Sequence, residues 1–296
     1  MALFNLENEK LNYIKEVPFK LEKEIQNLCE KNMQELLHCE FVKTEFVIEK
    51  FRLDSLGFDK STSSFVIIEY KKDKNFSVID QGYAYLSLML NHKSDFILEY
   101  NETTGKNLKR NDIDWTQSKV VFIAPSFTTY QREAITFKDL PIELYEIKKY
   151  ANKTISFTQI ITKNATESIK TISKSNEKLE AVNKEIKVYT EQEKIEFGTQ
   201  AIQELYEKLK TMILNIGDDI SIKPTKLYIA FLRKTNFCDI NIQKNQIKIW
   251  LNSSKGNISD SKGILRDVSN IGHHGNGDYE LSIDSYSDIE YIVSLI

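Results

Sequence analysis

Apolar residues in the first half of the chain follow two different spacings. Apolar positions three and four residues apart predict amphipathic helices over 19–38, over 78–90 and near 128–138. Alternating or β-branched apolar runs predict strands at 41–50, 51–58, 65–70, 95–100, 119–124 and 142–150. This order predicts an α/β domain, a mixed sheet flanked by helices, over residues 1–158.

The pattern changes after residue 158. Residues 159–193 are polar and carry only a thin apolar stripe, so we interpret them as a solvated helical connector. A helix that packs against a partner is the alternative, and it would allow a homo-oligomer to form through this segment. A helix over 195–214 and further strands then predict a smaller α+β domain over 194–296. Those strands are expected at 226–233, 246–251 and 279–283.

Composition indicates an ordinary globular protein. Hydrophobic residues are 41% of the 296 residues, charged residues are 28%, and the net charge of -3 gives no general attraction to nucleic acid. The apolar runs are too short to span a bilayer, and no signal peptide begins the chain. Cys29, Cys39 and Cys238 form no CxxC pair, which argues against a cysteine-based zinc site. We therefore expect a cytoplasmic protein without membrane contact.

Two carboxylates and a lysine occupy neighbouring predicted strands. Glu69 ends the apolar run 65–70, Lys71 follows two residues later on the same face, and Asp54 lies in the preceding strand. Carboxylates that share a cleft repel one another unless a cation lies between them, and their oxygens suit a hard ion such as Mg²⁺. The pattern indicates metal-assisted phosphodiester chemistry. Ordinary salt bridges at a strand end are the alternative.

These residues resemble the motif of the PD-(D/E)XK nuclease superfamily, whose core is the restriction-endonuclease-like fold. The resemblance rests on Asp54, Glu69, Tyr70 and Lys71, although Leu53 stands where the motif usually has proline. It implies that Asp54, Glu69 and the backbone carbonyl of Tyr70 ligate Mg²⁺ or Mn²⁺. It also implies that Lys71 positions the attacking water.

The resemblance extends to the helix that follows. Gln81 and Tyr85 match the QxxxY motif of the RecB-like and archaeal endonuclease branches, and they would steady the site. Those families also carry an acidic residue on the first helix, for which Glu24 is our choice and Glu30 is the rival.

The function implied is that of a metal-dependent endonuclease or exonuclease, with DNA a better candidate substrate than RNA, in repair or in defence against foreign DNA. Arg52 and Lys72 are the residues that we expect to contact nucleic acid. Arg52 can instead pair with a carboxylate. A catalytically silent module for nucleic-acid binding or assembly is the alternative to an enzyme.

The second half resembles the C-terminal domain of unknown function in uncharacterised bacterial proteins that are sometimes labelled "predicted transport protein". It contains a glycine-rich stretch, Gly-His-His-Gly-Asn-Gly-Asp-Tyr, at 272–279. We interpret this stretch as a tight loop, with a ligand-binding loop as the alternative. Lysines and arginines are interleaved with the aromatic residues Tyr228, Phe231, Phe237 and Trp250. This pattern indicates either nucleic-acid or partner recognition or a solvated face over an aromatic core.

Overall fold

A computed structural model describes residues 2–72, 76–137, 139–161, 167–169 and 177–296. It divides into two compact units, Met1–Val188 and Tyr189–Ile296. Within the described residues, no helix combines the length and the apolar character that a membrane span requires. Cys29, Cys39 and Cys238 are all buried free thiols.

The first unit alternates strands and helices along the chain. Its strands are β1 (Leu3–Glu7), β2 (Lys10–Ile14), β3 (Glu16–Val17), β4 (Glu40–Ile48), β5 (Phe51–Asp59), β6 (Ser64–Tyr70), β7 (Lys119–Ala124), β8 (Ile142–Tyr150) and β9 (Ile155–Gln159). Its helices are α1 (Glu22–Lys31), α2 (Met33–Leu37), α3 (Val78–Asn91), α4 (Lys93–Thr104), α5 (Thr129–Ala134) and α6 (Glu177–Glu185), with short 3-10 turns at Arg110–Asp112 and Trp115–Gln117.

One seven-stranded mixed sheet organises this unit. Its order is β3-β8-β7-β6-β5-β4, with β9 paired to β8. Strands β4, β5 and β6 are antiparallel neighbours, whereas β6, β7 and β8 run parallel. Phe65 and Ile67 of β6 face a core shared with α3 and α4, and Val66 and Ile68 face a core shared with α1. The expected α/β class, a mixed sheet flanked by helices, is confirmed.

A strand and a helix predicted in the first unit differ from the structure, and the pattern did not predict β1, β2, β3 or β9. The strand predicted at 95–100 is wrong, because these residues lie in helix α4. Phe96 and Tyr100, four residues apart, are both buried, and the helix ends at Gly105, whose φ is +68°. The helix predicted over 19–38 is interrupted at Asn32, whose side chain donates to the carbonyl of Leu28 at 2.8 Å. That side-chain bond competes with the backbone ladder of the helix.

The described part of 159–193 does not form a solvated connector. Val182 and Ile186, on and just after α6, are buried in the core beneath α3. The hydroxyl of Tyr83 on α3 donates to Asn183 Oδ1 at 2.9 Å, and Lys93 pairs with Glu185 at 2.5 Å. Residues 177–188 therefore belong to the first unit, and the partner of this amphipathic helix is the unit itself.

The second unit is an antiparallel sheet with helices against one face. Its strands are β10 (Ser221–Pro224), β11 (Ile229–Leu232), β12 (Asn236–Ile242), β13 (Ile247–Leu251), β14 (Arg266–Asp267) and β15 (Tyr279–Ile283), and its helices are α7 (Glu191–Ile195), α8 (Gln200–Leu214) and α9 (Ile289–Leu295). The strand order is β10-β11-β12-β13-β15-β14, and the core lies between this sheet and the helices. The sequence pattern did not predict β10, β12 or β14.

The glycine-rich loop packs tightly on this sheet. A side-chain carbon at Gly275 would lie 2.4 Å from the Trp250 ring, and Gly277 has a φ of +79° that L side chains rarely adopt. Asn276 donates its backbone and side-chain N–H groups to the buried Asp239 carboxylate at 2.7 and 2.9 Å. These contacts support the interpretation of the stretch as a structural loop.

Candidate functional site

Strands β5 and β6 bring Asp54 and Glu69 to the same end of the sheet. The paired residues of this hairpin end at Ser55 and Ile68, so that Asp54 and Glu69 lie just beyond the last pair. Asp54 Oδ2 accepts the backbone N–H of Tyr70 at 3.0 Å. A carboxylate therefore continues the contact between the two strands beyond their backbone pairing.

The side chains of Lys71, Gln81 and Tyr85 converge around Glu69. Lys71 Nζ lies 2.6 Å from Glu69 Oε1, and Gln81 Nε2 donates to the same oxygen at 2.8 Å. Gln81 Nε2 also lies 2.8 Å from the hydroxyl of Tyr85, one helical turn further along α3. Glu69 itself is only 4% exposed, and its Oε2 has no hydrogen-bond partner among the described residues. The helix thus orients one carboxylate oxygen and leaves the other available.

An aromatic ring and a second glutamine support Lys71. Its ammonium lies 5.8 Å from the centre of the Phe76 ring, a cation–π contact. The side chain of Gln131 donates to the backbone carbonyl of Phe76 at 3.0 Å, and it forms a capping box with Thr128 at the start of α5. Sequence reasoning missed Phe76 and Gln131, although the Thr-x-x-Gln spacing was a readable capping signal.

The environment of the site disfavours the simultaneous negative charge of Asp54 and Glu69 when no cation is bound. Burial raises the pKa of Asp54, with the Tyr70 N–H and the Lys71 ammonium opposing the shift. Burial and the charge of Asp54 raise the pKa of Glu69, again against Lys71. Burial and the charge of Glu69 hold the pKa of Tyr85 above its usual range, so that Tyr85 stays a neutral phenol at physiological pH.

The donor set fits a hard divalent cation. Carboxylate oxygens are ligands that Mg²⁺ and Mn²⁺ prefer. The site offers two carboxylates with raised pKa values, and Glu69 Oε2 has no hydrogen-bond partner among the described residues. Within the described residues, no group of three or more His, Cys, Asp or Glu side chains is placed to hold a metal. An ion here would rely on Asp54, Glu69, a backbone carbonyl such as that of Tyr70, and water. The Tyr70 side chain is buried on the opposite sheet face, with α1.

The two candidate acidic residues of α1 bond to other side chains, although Glu30 shares Gln26 with the backbone carbonyl of Asp54. Glu24 forms an ion pair with Lys149 on β8 and accepts the backbone N–H of Lys20 at 2.9 Å, and these bonds lower its pKa. Glu30 Oε1 accepts the hydroxyl of Ser55 at 2.6 Å. The structure gives neither glutamate a contact with the two site carboxylates, so Glu24 is not brought into this site.

The two expected nucleic-acid contacts lie in exposed positions. The Arg52 side chain is 64% exposed and lies 3.7 Å from Glu45. Its charge opposes the rise that burial causes in the pKa of Asp54. Lys72 is exposed just after β6. Both cations can therefore reach a ligand in solution near the two carboxylates.

Three of the four aromatic residues considered for stacking on bases are buried in the second unit, and Phe237 is partly buried. Tyr228, Phe231 and Trp250 are all buried. Trp250 donates its indole N–H to Glu280 at 3.0 Å. This placement favours a solvated basic face over an aromatic core.

Comparisons with solved structures return partial likenesses of low identity. A repair endonuclease from Pyrococcus abyssi is 20% identical, with a TM-score of 0.26 over 45% of this chain and 49% of that chain. EndoMS in a complex with dsDNA is 18% identical, with a TM-score of 0.24 over 45% and 47%. The SfsA protein of Pyrococcus furiosus, in complex with Ca²⁺, is 15% identical, with a TM-score of 0.26 over 53% and 74%. The match spans about half the length of the two endonuclease chains.

Sequence comparisons extend over the whole chain. The family model for a domain of unknown function, DUF5655, matches residues 162–296. A protein of Haemophilus influenzae described as "Uncharacterized protein" is 47% identical over 296 residues, which is 100% of this chain and 98% of that relative. The protein therefore belongs to the same family as this Haemophilus influenzae protein.

Proposed function

We propose that the first unit is a Mg²⁺- or Mn²⁺-dependent nuclease that hydrolyses phosphodiester bonds. The observation that carries the proposal is the environment of Glu69. Lys71 and Gln81 both bond its Oε1, its buried Oε2 has no partner among the described residues, and Asp54 lies close enough to raise its pKa. A plain surface salt bridge would not bury this carboxylate or leave an oxygen of it unsatisfied.

Asp54, Glu69 and the backbone carbonyl of Tyr70 would hold the ion. Such an ion, when bound, polarises a phosphodiester and makes a coordinated water more acidic. The Lys71 ammonium, held beside Glu69 and the Phe76 ring, orients the attacking water and offsets the charge of the phosphate. Gln81 fixes the rotamer of Glu69.

The substrate is nucleic acid, with DNA proposed over RNA because the motif resembles those of DNA-acting branches of the nuclease superfamily. Arg52 and Lys72 contact backbone phosphates beside the site. Binding through these cations releases counterions, so affinity falls steeply as salt is raised. A role in repair or in defence against foreign DNA agrees with this chemistry.

Metal-dependent cleavage is the test. The wild type would be incubated with single-stranded, duplex and branched DNA and with RNA, in Mg²⁺, in Mn²⁺ and in chelator. We expect cleavage that chelator abolishes, and a rate about 10²–10⁴-fold lower in Lys71→Ala, the range typical of lost acid–base or charge-stabilising groups. Lys31→Ala, at an exposed lysine of α1, is the matched control.

Folding of each variant would be checked by circular dichroism, and Asp54→Asn provides a second loss-of-function variant. Failure of the wild type to cleave any substrate would overturn the proposal that the protein is a nuclease. Salt-sensitive binding retained without cleavage would instead identify a catalytically silent nucleic-acid-binding module.

A further inference from the structure

The first residues of the chain form a hairpin that exposes an apolar face. Strands β1 and β2 pair only with each other, as a two-stranded sheet separate from the main one. Their register places Phe4 opposite Tyr13 and Leu6 opposite Leu11. Directly opposed residues share a face, and so do residues two apart, so that all four side chains lie on one side of the hairpin. They are 48% to 68% exposed.

We call this face the apolar arm (Phe4, Leu6, Leu11 and Tyr13). It has the features of a surface that packs against another apolar surface. A two-stranded hairpin is at best marginally stable alone in water and needs packing on one face. Contiguous exposed apolar patches of this kind mark interaction surfaces. The rings of Phe4 and Tyr13 already meet edge to face at 5.7 Å, so part of the face is ordered before any partner binds.

An open groove lies at the root of the arm. Strand β3 begins two residues after β2 ends, and its Val17 lines a cavity of about 440 Å³ together with Phe19, Leu28, Tyr150 and Ile155. We call these five residues the root groove. Its lining also includes Lys153 and the ion pair of Glu24 with Lys149, so the charged part of the lining is positive by one. The arm and the groove thus offer two complementary apolar surfaces on one chain.

We propose that the apolar arm of one copy of this chain fills the root groove of a second copy, and that the exchange is reciprocal. Apolar side chains of the arm match the apolar lining of the groove. Glu7 lies opposite Lys10 at the tip of the hairpin, so Glu9 leaves the tip with a net negative charge that matches Lys153. Because each chain carries both surfaces, two copies satisfy both arms and both grooves at once, and the assembly closes with two-fold symmetry. This interface involves neither residues 159–193 nor the site around Glu69.

Mixed-variant cross-linking tests the exchange directly. Leu6→Cys and Ile155→Cys would be purified separately, mixed, and oxidised mildly. The native cysteines are buried, so they compete little. We expect a disulfide-linked heterodimer in the mixture and little link in either variant alone, with light scattering giving the wild type twice its 34.5 kDa mass.

A charge variant supplies the second measurement. Leu6→Lys/Leu11→Lys places like charges on the arm, and we expect it to be monomeric with an unchanged circular dichroism spectrum. Leu98→Lys, at a 56% exposed leucine of α4, is the matched control and stays dimeric. A monomeric wild type would overturn the proposal. So would a dimer that survives the arm variant, or the lack of a disulfide link between Leu6→Cys and Ile155→Cys in the mixture. Cleavage plays no part in these readouts, so the nuclease proposal stands or falls separately.

Discussion

The backbone N–H of Tyr70 donates to Asp54 Oδ2 at 3.0 Å, and this bond joins the two motif strands at the point where their backbone pairing ends. Tyr70 stands between Glu69 and Lys71 in the sequence. One hydrogen bond therefore fixes Asp54 relative to the other two motif residues. The bond uses the backbone of Tyr70, so it does not require a tyrosine side chain at this position.

Asp54→Asn is expected to raise the stability of the metal-free protein. An acid whose pKa is raised by folding destabilises the folded state as pH rises through the interval between its unfolded and its folded pKa, and Asp54 is such an acid. Asparagine removes the charge and keeps an acceptor for the Tyr70 N–H. The gain should appear as a higher Tm at pH values above the folded-state pKa of Asp54, where the wild-type carboxylate is charged.

Calorimetry with and without Mg²⁺ measures both halves of this prediction. Mg²⁺ should raise the Tm of the wild type, because binding to the folded state alone stabilises it by mass action. Mg²⁺ should leave the Tm of the Asp54→Asn variant unchanged. An equal Mg²⁺ response in the two proteins would remove Asp54 from the metal site.

As the pH is lowered, this site should lose its metal at a higher pH than a site whose carboxylates have ordinary pKa values. Burial raises the pKa values of both Asp54 and Glu69, and protons compete with the ion for the same oxygens. Mn²⁺ affinity measured by titration calorimetry should fall as pH falls, and a higher metal concentration should move the acid limb of cleavage to lower pH. Glu69→Gln is the control, in which this dependence weakens along with the affinity. A flat profile down to pH 4 would contradict the assignment.

Gln81→Ala should weaken metal binding and cleavage by about 10–100-fold, the usual effect of removing a group that orients a ligand. The change deletes a 2.8 Å bond to Glu69 Oε1 and leaves Lys71 as its partner. Tyr85→Phe should have a smaller effect, because it removes one neutral hydroxyl beside Glu69 and leaves the bonds of Gln81 and Lys71 to Glu69 Oε1 in place. Ser87→Ala, on the same helix, is the matched control. Wild-type rates in Gln81→Ala would assign this glutamine a structural role only.

Gly277→Ala should destabilise the second unit more than Gly263→Ala does. Both glycines have positive φ values, +79° and +65°, so both substitutions carry a backbone cost of about 1–3 kcal/mol. A Cβ at Gly277 would also lie 2.2 Å from the backbone carbonyl oxygen of Leu251, whereas Gly263 has open space. Chemical denaturation of the two variants measures the difference. Equal losses would mean that the loop can move away from β13.

Local sequence patterns predicted the strands and the helix that carry the site. The apolar run of β6 and the helical spacing of α3 are local signals, and both elements formed where they were expected. The same reasoning failed at α4, because a six-residue run around Phe96 satisfies a strand pattern as well as a helical one. Only the burial of Phe96 and Tyr100 against the sheet decided between the two.

By itself, the sequence determined the α/β class of the first unit and the joint placement of Asp54, Glu69 and Lys71, because strand alternation and neighbouring strands are set by short-range pattern. Tertiary structure decided what depends on distant partners. It pairs the Glu24 carboxylate with the Lys149 ammonium, places the Phe76 ring beside the Lys71 ammonium, and packs α6 against α3. The first and the last of these pairings join residues 100 or more positions apart in the chain, so their energies depend on packing geometry that no local pattern records.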